Sequence, residues 1–156
     1  MLPWWECLVR LLGAMILGAV LGLEREASGK PAGFRTHILV CLGATLYVVV
    51  AQRAAFLAGE EVDAVRAMTG VAQGVGFLGA GLILQTKGEV RWLTTATSLW
   101  VVAALGLALG LGAYWLAIAG CLLAYVTLHW LDRVESALVR RLNARKRKGT
   151  KNQKSA

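Results

Sequence analysis

The chain has 156 residues, of which 57% are hydrophobic, and its mean hydropathy is +0.59. This apolar share exceeds that of a typical water-soluble domain, and the length allows one domain. The formal net charge is +8, but residues 133–156 contain nine basic side chains against one acidic side chain, so this segment accounts for the whole excess. The positive net charge therefore comes from a basic tail. The rest of the chain carries no net charge, so nucleic acid is not expected as its partner.

Apolar runs long enough to cross a bilayer recur along the chain, since a spanning helix needs about 20 residues. We predict five spans, at residues 4–23, 36–57, 68–85, 93–109 and 113–131. Apolar residues then recur at helical spacing between 131 and 142, which predicts a short amphipathic helix on the membrane surface. The predicted fold is an all-α membrane protein, with a five-span domain (1–131) and a cytosolic amphipathic helix and basic tail (132–156).

Basic residues are unevenly divided between the two predicted sides of the membrane, and short loops rich in Lys and Arg favour the cytoplasm. The first loop contains Arg25, Lys30 and Arg35, whereas the turn between the last two spans contains no charge. An odd number of spans puts the termini on opposite sides. We therefore predict an outside amino terminus and a cytoplasmic carboxy terminus, whose basic tail contacts anionic lipid.

The stretch from residue 22 to residue 37 concentrates charge between two apolar runs. Ionisable groups near membrane depth are costly to hold there, and for this reason they tend to be functional. We predict one cluster at the cytosolic mouth of the first two spans, joined by hydroxyl groups from the inner end of span four. Its members are Glu24, Arg25, Glu26, Arg35, Thr36, His37, Thr94, Thr95 and Ser98.

The carboxylates Glu24 and Glu26 have two interpretations. They are hard oxygen ligands that suit a divalent cation, the one cofactor that the sequence suggests. Alternatively, neighbouring basic residues neutralise them in an interfacial ion-pair cluster.

A lone histidine near a helix start, such as His37, is more often a hydrogen-bonding structural residue than a metal ligand. The sequence contains no catalytic triad, paired catalytic carboxylates or metal-ligand spacing, so an enzyme is not expected.

Glycines are concentrated in span three, at Gly70, Gly74, Gly76, Gly79 and Gly81. Residues 74–79 spell GxGxxG, but no strand precedes them, so dinucleotide binding is not expected. The spacing of Gly70 and Gly74 instead allows close helix packing, within the chain or between copies of it. A further interpretation is that the glycines interrupt the helix, as in transporters whose broken helices expose backbone groups at binding sites.

Arg10 is the single charge well inside a predicted span. It precedes Glu24 by 14 residues, which places both on nearly the same helix face. Its long side chain could extend along the helix to bring the guanidinium to the outer interface. In the other interpretation, it forms the outer end of a polar path that leads towards Glu24.

Three motifs in this order resemble those of the MgtC/SapB family of bacterial membrane proteins, and the match covers residues 5–131. The motifs are LGLERE at 21–26 with GKPAGFRTH at 29–37, GVGFLGAG at 74–81, and LTTATSLW at 93–100. Where a family glycine is expected, between Val90 and Leu93, this chain has Arg91 and Trp92.

The resemblance implies a plasma-membrane protein with five spans. Members are linked to growth under magnesium limitation, to stress adaptation and, in pathogens, to virulence through survival inside macrophages. Some act by binding other membrane machines, such as the ATP synthase, rather than by moving magnesium. Longer members carry a soluble ACT-like carboxy-terminal domain, where this sequence has a short basic tail.

The predicted function is therefore that of a non-enzymatic regulator or adaptor, which binds a membrane-protein partner in adaptation to magnesium limitation or stress. The alternative is an ion transporter or channel that uses the glycine-rich third span and the charged inner loop.

Overall fold

The computed structural model describes residues 2–61, 63–84 and 91–131, which form helices and turns and no strand. The α-helices are α1 (Trp4–Ala27), α2 (Phe34–Ala58), α3 (Ala64–Leu84), α4 (Leu93–Gly110) and α5 (Tyr114–Val126), and a π-helical turn (Thr127–Leu131) extends α5. The prediction of an all-α membrane protein with five helices is confirmed. The predicted amphipathic helix and basic tail lie outside the described residues.

Among the described helices, α1, α2 and α4 are long and apolar enough to cross a membrane, and α5 with its π-helical turn forms a shorter apolar helix. Helix α1 continues four residues beyond the predicted end of the first span, so Glu24 and Arg25 lie in its last turn rather than in the loop. Helix α3 starts four residues earlier than predicted, because the Asp63 side chain accepts a hydrogen bond from the Arg66 amide at 2.9 Å and caps the helix.

The connection between α1 and α2 is a tight reversal. Gly29 has a φ of 64°, in the left-handed region that favours glycine. The amides of Gly29 and Lys30 donate to the carbonyls of Glu26 and Arg25, both at 3.0 Å, which completes a Schellman motif. The reversal lets α2 run back alongside α1 after only six residues, 28–33.

Helix α2 packs against α1 through two glycines of α1. A Cβ added at Gly18 would lie 2.8 Å from the Ile38 Cα, and one added at Gly22 would lie 2.8 Å from the Phe34 Cα. The two helix backbones therefore touch, which is the close approach that GxxxG spacing permits in membrane helices.

Helix α2 meets α4 in the same way, through residues next to those that face α1. A Cβ added at Gly110 would lie 2.6 Å from the Val48 Cβ, and one added at Gly106 would collide with the Cys41 carbonyl oxygen. The Thr45 hydroxyl, also buried here, lies 2.9 Å from the Gly106 carbonyl oxygen and 3.0 Å from that of Cys41. Helix α2 therefore packs closely against both α1 and α4, and α4 contacts each of the other four α-helices.

Helix α3 is one continuous helix from Ala64 to Leu84, so its glycines do not interrupt it within these residues. A glycine in a helix interior costs only about 1 kcal/mol relative to alanine, which a long apolar helix tolerates. A Cβ added at Gly70, Gly74, Gly76 or Gly81 would meet nothing within 4 Å, and one at Gly79 would make ordinary contact with Ala96 at 3.7 Å. Within the described bundle, the close helix contacts thus lie at glycines of α1 and α4 and not at the glycines of α3.

Candidate functional site at the inner end of the bundle

Glu24 and Arg25 form a buried ion pair at the end of α1. The Arg25 Nε donates to Glu24 Oε2 at 2.6 Å and Nη2 donates to Oε1 at 3.0 Å, while the Ser28 hydroxyl donates to Oε1 at 2.9 Å. Only 7% of Glu24 and 2% of Arg25 is exposed. A bidentate pair of this kind is among the stronger hydrogen-bonded arrangements. Its burial makes each partner dependent on the other, because removing one leaves an uncompensated charge.

His37 connects the first turn of α2 to α4. Its Nδ1 lies 3.0 Å from the Gly33 carbonyl oxygen, and its Nε2 lies 3.1 Å from the Ser98 Oγ. The Ser98 hydroxyl in turn lies 2.7 Å from the Thr95 carbonyl oxygen. The imidazole is fully buried, and its Cβ lies 3.1 Å from the position that a Cβ at Gly22 would take, in the turn of α1 that precedes Arg25. The ion pair and the histidine therefore belong to one polar layer that joins α1, α2 and α4.

The hydrogen bonds of His37 have two arrangements. A carbonyl oxygen only accepts, so Nδ1 carries a proton and donates to Gly33. If Nε2 is also protonated, it donates to Ser98, and the Ser98 hydroxyl remains available to the Thr95 carbonyl. If Nε2 is unprotonated, the Ser98 hydroxyl can donate to it only by giving up the Thr95 carbonyl. His37 and Ser98 remain hydrogen-bonded in both arrangements, but the hydrogen bond from Ser98 to the Thr95 carbonyl forms only when Nε2 is protonated.

Glu26 caps the start of α2 across the loop. Its Oε2 accepts a hydrogen bond from the Phe34 amide at 2.7 Å, and a Cβ at Gly33 would collide with the same oxygen. A carboxylate at this position also interacts favourably with the positive end of the helix dipole. Glycine at position 33 therefore leaves the space in which the Glu26 carboxylate reaches the helix.

The same loop contacts the start of α4. The Lys30 Nζ lies 5.8 Å from the centroid of a Trp92 ring, within cation–π range. Trp92 has a φ of 64°, in the left-handed region. This backbone conformation is uncommon for a residue other than glycine.

The carboxylates proposed as metal ligands are both engaged by protein donors. Arg25 and Ser28 occupy Glu24, and the Phe34 amide occupies Glu26. No group of three or more His, Cys, Asp or Glu side chains that could hold a metal ion occurs among residues 2–61, 63–84 and 91–131. Glu24 thus lies in an ion pair with Arg25, and Glu26 caps α2.

The other members of the predicted cluster lie apart from this layer. Arg35 and Thr94 are exposed, and Thr36 lines a cavity between α2 and α3. Thr95 and Ser98 are buried on the face of α4 that meets His37. The structure therefore brings together Glu24, Arg25, His37, Thr95 and Ser98 and leaves the remaining residues at the periphery.

Two residues next to the polar layer were not identified from the sequence. The rings of Tyr125 and His129 stack with centroids 5.6 Å apart and an interplanar angle of 12°. Together with Val20, Leu23 and Glu24 they line a cavity of about 400 Å³. Their four-residue spacing indicated a shared helix face, but the π-helical turn that carries His129 has no recognisable sequence signal.

Arg10 holds the opposite end of the bundle together. Its guanidinium donates to the Gln52 side chain at 3.0 Å and also to the Gly110 carbonyl and to Glu6. Only 5% of the residue is exposed, and the guanidinium lies near the ends of α1, α2 and α4. It caps the carboxy-terminal end of α4, where a cation is favourable.

Helix α1 carries no polar side chain on its buried face between Arg10 and Glu24, so it does not itself form the predicted polar path. The residues between them on the buried face are Ala14, Gly18 and Leu21, all of which are apolar. The charges of α1 therefore form two separate polar groups, one near each end of the helix.

Comparisons with known proteins agree with the three sequence motifs. The model of the MgtC family matches residues 11–137. Protein SrpB of Synechococcus elongatus is 42% identical to this chain, over 85% of the chain and 78% of its own length. No solved structure matches.

Two other relatives are longer than the region they share with this chain. The putative magnesium transporter YhiD of Escherichia coli K12 is 39% identical over 79% of this chain and 59% of its own length. Protein SapB of Bacillus subtilis is 34% identical over 86% of this chain and 61% of its own length. This chain thus spans less than two thirds of either relative.

Proposed function

Because this chain belongs to the MgtC family of membrane proteins, we propose that it is a non-enzymatic regulator or adaptor. In this proposal it resides in the bacterial plasma membrane and binds another membrane protein during magnesium limitation or stress. Its amino terminus lies outside and its carboxy terminus lies in the cytoplasm.

The observation that carries this proposal is a glycine-lined cavity at the surface of the described bundle. A cavity of about 450 Å³ lies between α2 and α3, and Gly43, Gly70 and Gly74 are among the residues that line it. A Cβ added at any of these three glycines would meet nothing within 4 Å. Helices associate in membranes through small residues that allow close backbone approach, so this surface suits a helix from a partner.

The polar groups of the described spans support the same proposal. Arg25 pairs with Glu24 and Arg10 pairs with Glu6, so each buried guanidinium has a carboxylate partner. Apolar residues of α1 separate the two pairs. An arrangement of this kind stabilises a rigid bundle, whereas an ion pathway would need a succession of polar groups along the membrane normal.

A photo-reactive residue placed at Leu39 tests the proposal in native membranes. Leu39 is exposed and lines the α2–α3 cavity, and Leu116, similarly exposed on α5, is the control position. We expect a specific membrane protein to cross-link at Leu39 and not at Leu116. Gly74→Ile should abolish this product by filling the cavity, whereas Ala80→Ile, at an exposed position of α3 that does not line the cavity, should leave it unchanged.

Two results would contradict the adaptor proposal. One is a set of cross-links that contains only further copies of this chain. The other is a product whose yield is the same with Gly74→Ile as with the wild-type sequence, since the partner would then not occupy the cavity.

The orientation can be tested with single cysteines and a membrane-impermeant thiol reagent in intact cells. In a background without Cys7, the remaining native thiols at Cys41 and Cys121 are buried. We expect a cysteine at Glu60 to react and a cysteine at Lys30 to react only after the cells are opened. The reverse pattern would invert the proposed topology.

Ion transport is the second candidate function, and it is favoured by the similarity to YhiD of Escherichia coli, which is named a putative magnesium transporter. In this proposal the chain moves an ion past the polar layer at the inner end of α1. Flux through reconstituted protein separates the two candidates, because an adaptor does not need to move an ion.

A further inference from the structure

A cavity of about 910 Å³ opens at the end of the bundle remote from the α1–α2 loop. It lies between the start of α1 and the last turns of α2, and its apolar wall includes Leu2, Trp4, Val49, Val50 and Phe56. Pockets that bury small ligands typically measure roughly 300–1,000 Å³ and are mostly apolar with a few polar groups. The size and lining therefore suit a ligand with a large apolar part.

The rim of this cavity carries charge of both signs. Arg53, Glu60 and Glu61 line it, and within the described residues their side chains take part in no ion pair or hydrogen bond. The nearby Arg66 and Asp63 show a different arrangement, because they lie 3.9 Å apart in an exposed ion pair of their own. The cavity thus presents one cationic group and two anionic groups that do not neutralise each other.

The order of these groups along α2 matches the order of groups in a phospholipid. Val49 and Val50 precede Arg53 by three to four residues, which is about 5 Å along the helix axis. Glu60 and Glu61 follow the helix end, after Gly59 reverses the chain with a φ of 70°. From the bundle interior outwards, the lining is therefore first apolar at Val49 and Val50, then cationic at Arg53 and, beyond Phe56, anionic.

We propose that this groove binds a phospholipid whose headgroup contains a phosphate and a primary ammonium. The acyl chain lies along Val49 and Val50, the phosphate binds Arg53, and the ammonium donates to Glu60 and Glu61. Trp4 lies beside the groove at the start of α1, where aromatic rings are favoured at headgroup level. This inference depends neither on the orientation of the chain nor on its proposed function.

Charge selects among the lipids that could enter the groove. An anionic headgroup without an amine would leave the two carboxylates unpaired beside a phosphate, which is unfavourable. A quaternary ammonium headgroup cannot donate hydrogen bonds to the carboxylates. The groove should therefore prefer phosphatidylethanolamine to phosphatidylglycerol and to phosphatidylcholine with the same acyl chains.

Native mass spectrometry of the full chain, released from vesicles that contain equal amounts of these three lipids, measures the preference directly. We expect phosphatidylethanolamine to be retained preferentially, and Arg53→Gln to reduce its retention roughly tenfold through loss of a charge-assisted contact. Glu60→Gln with Glu61→Gln should remove the preference over phosphatidylglycerol. The Arg66→Gln and Asp63→Asn controls, which change the exposed pair nearby, should behave as the wild-type chain does.

The changes are at exposed positions, so each variant should keep the melting temperature of the wild-type chain. Equal retention of all three lipids by the wild-type chain would overturn the inference. So would a preference for phosphatidylethanolamine that persists at full strength in Arg53→Gln and in the double glutamine variant.

Discussion

The buried ion pair at the end of α1 gives a prediction whose size follows from its contacts. Glu24→Ala removes both hydrogen bonds with Arg25 and the one with Ser28. The Arg25 guanidinium, 2% exposed, is then left without a counter-charge. Breaking a buried pair by removing one partner costs about 3–5 kcal/mol. For a chain of this size we expect the melting temperature to fall by roughly 6–20 °C, at about 2–4 °C per kcal/mol.

Tryptophan fluorescence during heating of the purified chain in detergent measures this change. Glu60→Ala is the matched control, since it removes an exposed carboxylate without a recorded side-chain contact, and its effect should stay within about 0.5 kcal/mol. The double variant Glu24→Leu, Arg25→Leu should recover much of the loss, because exchanging both partners for apolar residues leaves no buried charge.

Two outcomes would refute this reasoning. If Glu24→Ala melts at the same temperature as Glu60→Ala, the two charges are effectively solvated and do not form a buried pair. If the double variant is less stable than Glu24→Ala alone, the loss comes from packing around the Glu24 side chain and not from the unpaired guanidinium.

Three further predictions use the same melting assay. Gly22→Val should prevent the close contact of α1 with α2 and lower stability by at least about 2 kcal/mol, whereas Gly76→Val, in open space, should change it little. Arg10→Ala should cost about 1–3 kcal/mol, because the Gly110 carbonyl and Gln52 lose their donor. Deletion of residues 144–156 should leave melting and insertion unchanged, and an inverted topology in the thiol-labelling assay would contradict this.

The helices could be predicted from the sequence because long apolar runs are a local property. The boundaries were less accurate at the end of α1, where two charged residues were assigned to a loop. Glu24 and Arg25 can remain in the helix because their charges neutralise each other, since the Arg25 guanidinium donates to the Glu24 carboxylate. Sequence spacing does not indicate this pair, since adjacent residues on a helix do not face each other.

Some residues of the polar layer could be predicted from their positions at helix ends. Ser98 and Thr95 lie at the inner end of their helix, as His37 does, so antiparallel packing places them at one level. The direction in which each side chain points decides the rest. Arg35 and Thr94 share that level but are exposed, and no local pattern separates them from their buried neighbours.

The glycine contacts show the limit of a spacing argument. The GxxxG spacing was noticed at Gly70 and Gly74, while the pairs Gly18–Gly22 and Gly106–Gly110 have the same spacing. Only the latter pairs meet another helix backbone within the described residues. Which glycine face is covered depends on the arrangement of all the helices, so it cannot be read from one segment.

Ion flux into proteoliposomes tests the central functional claim most directly. The full chain is reconstituted into vesicles, and the uptake of magnesium, potassium and protons is followed with entrapped indicators against protein-free vesicles. An adaptor predicts uptake no faster than in protein-free vesicles for all three ions, with the wild-type chain and with Glu24→Gln alike. Uptake of any of these ions by the wild-type chain that Glu24→Gln abolishes, while Glu60→Gln retains it, would contradict the account and assign transport to the polar layer.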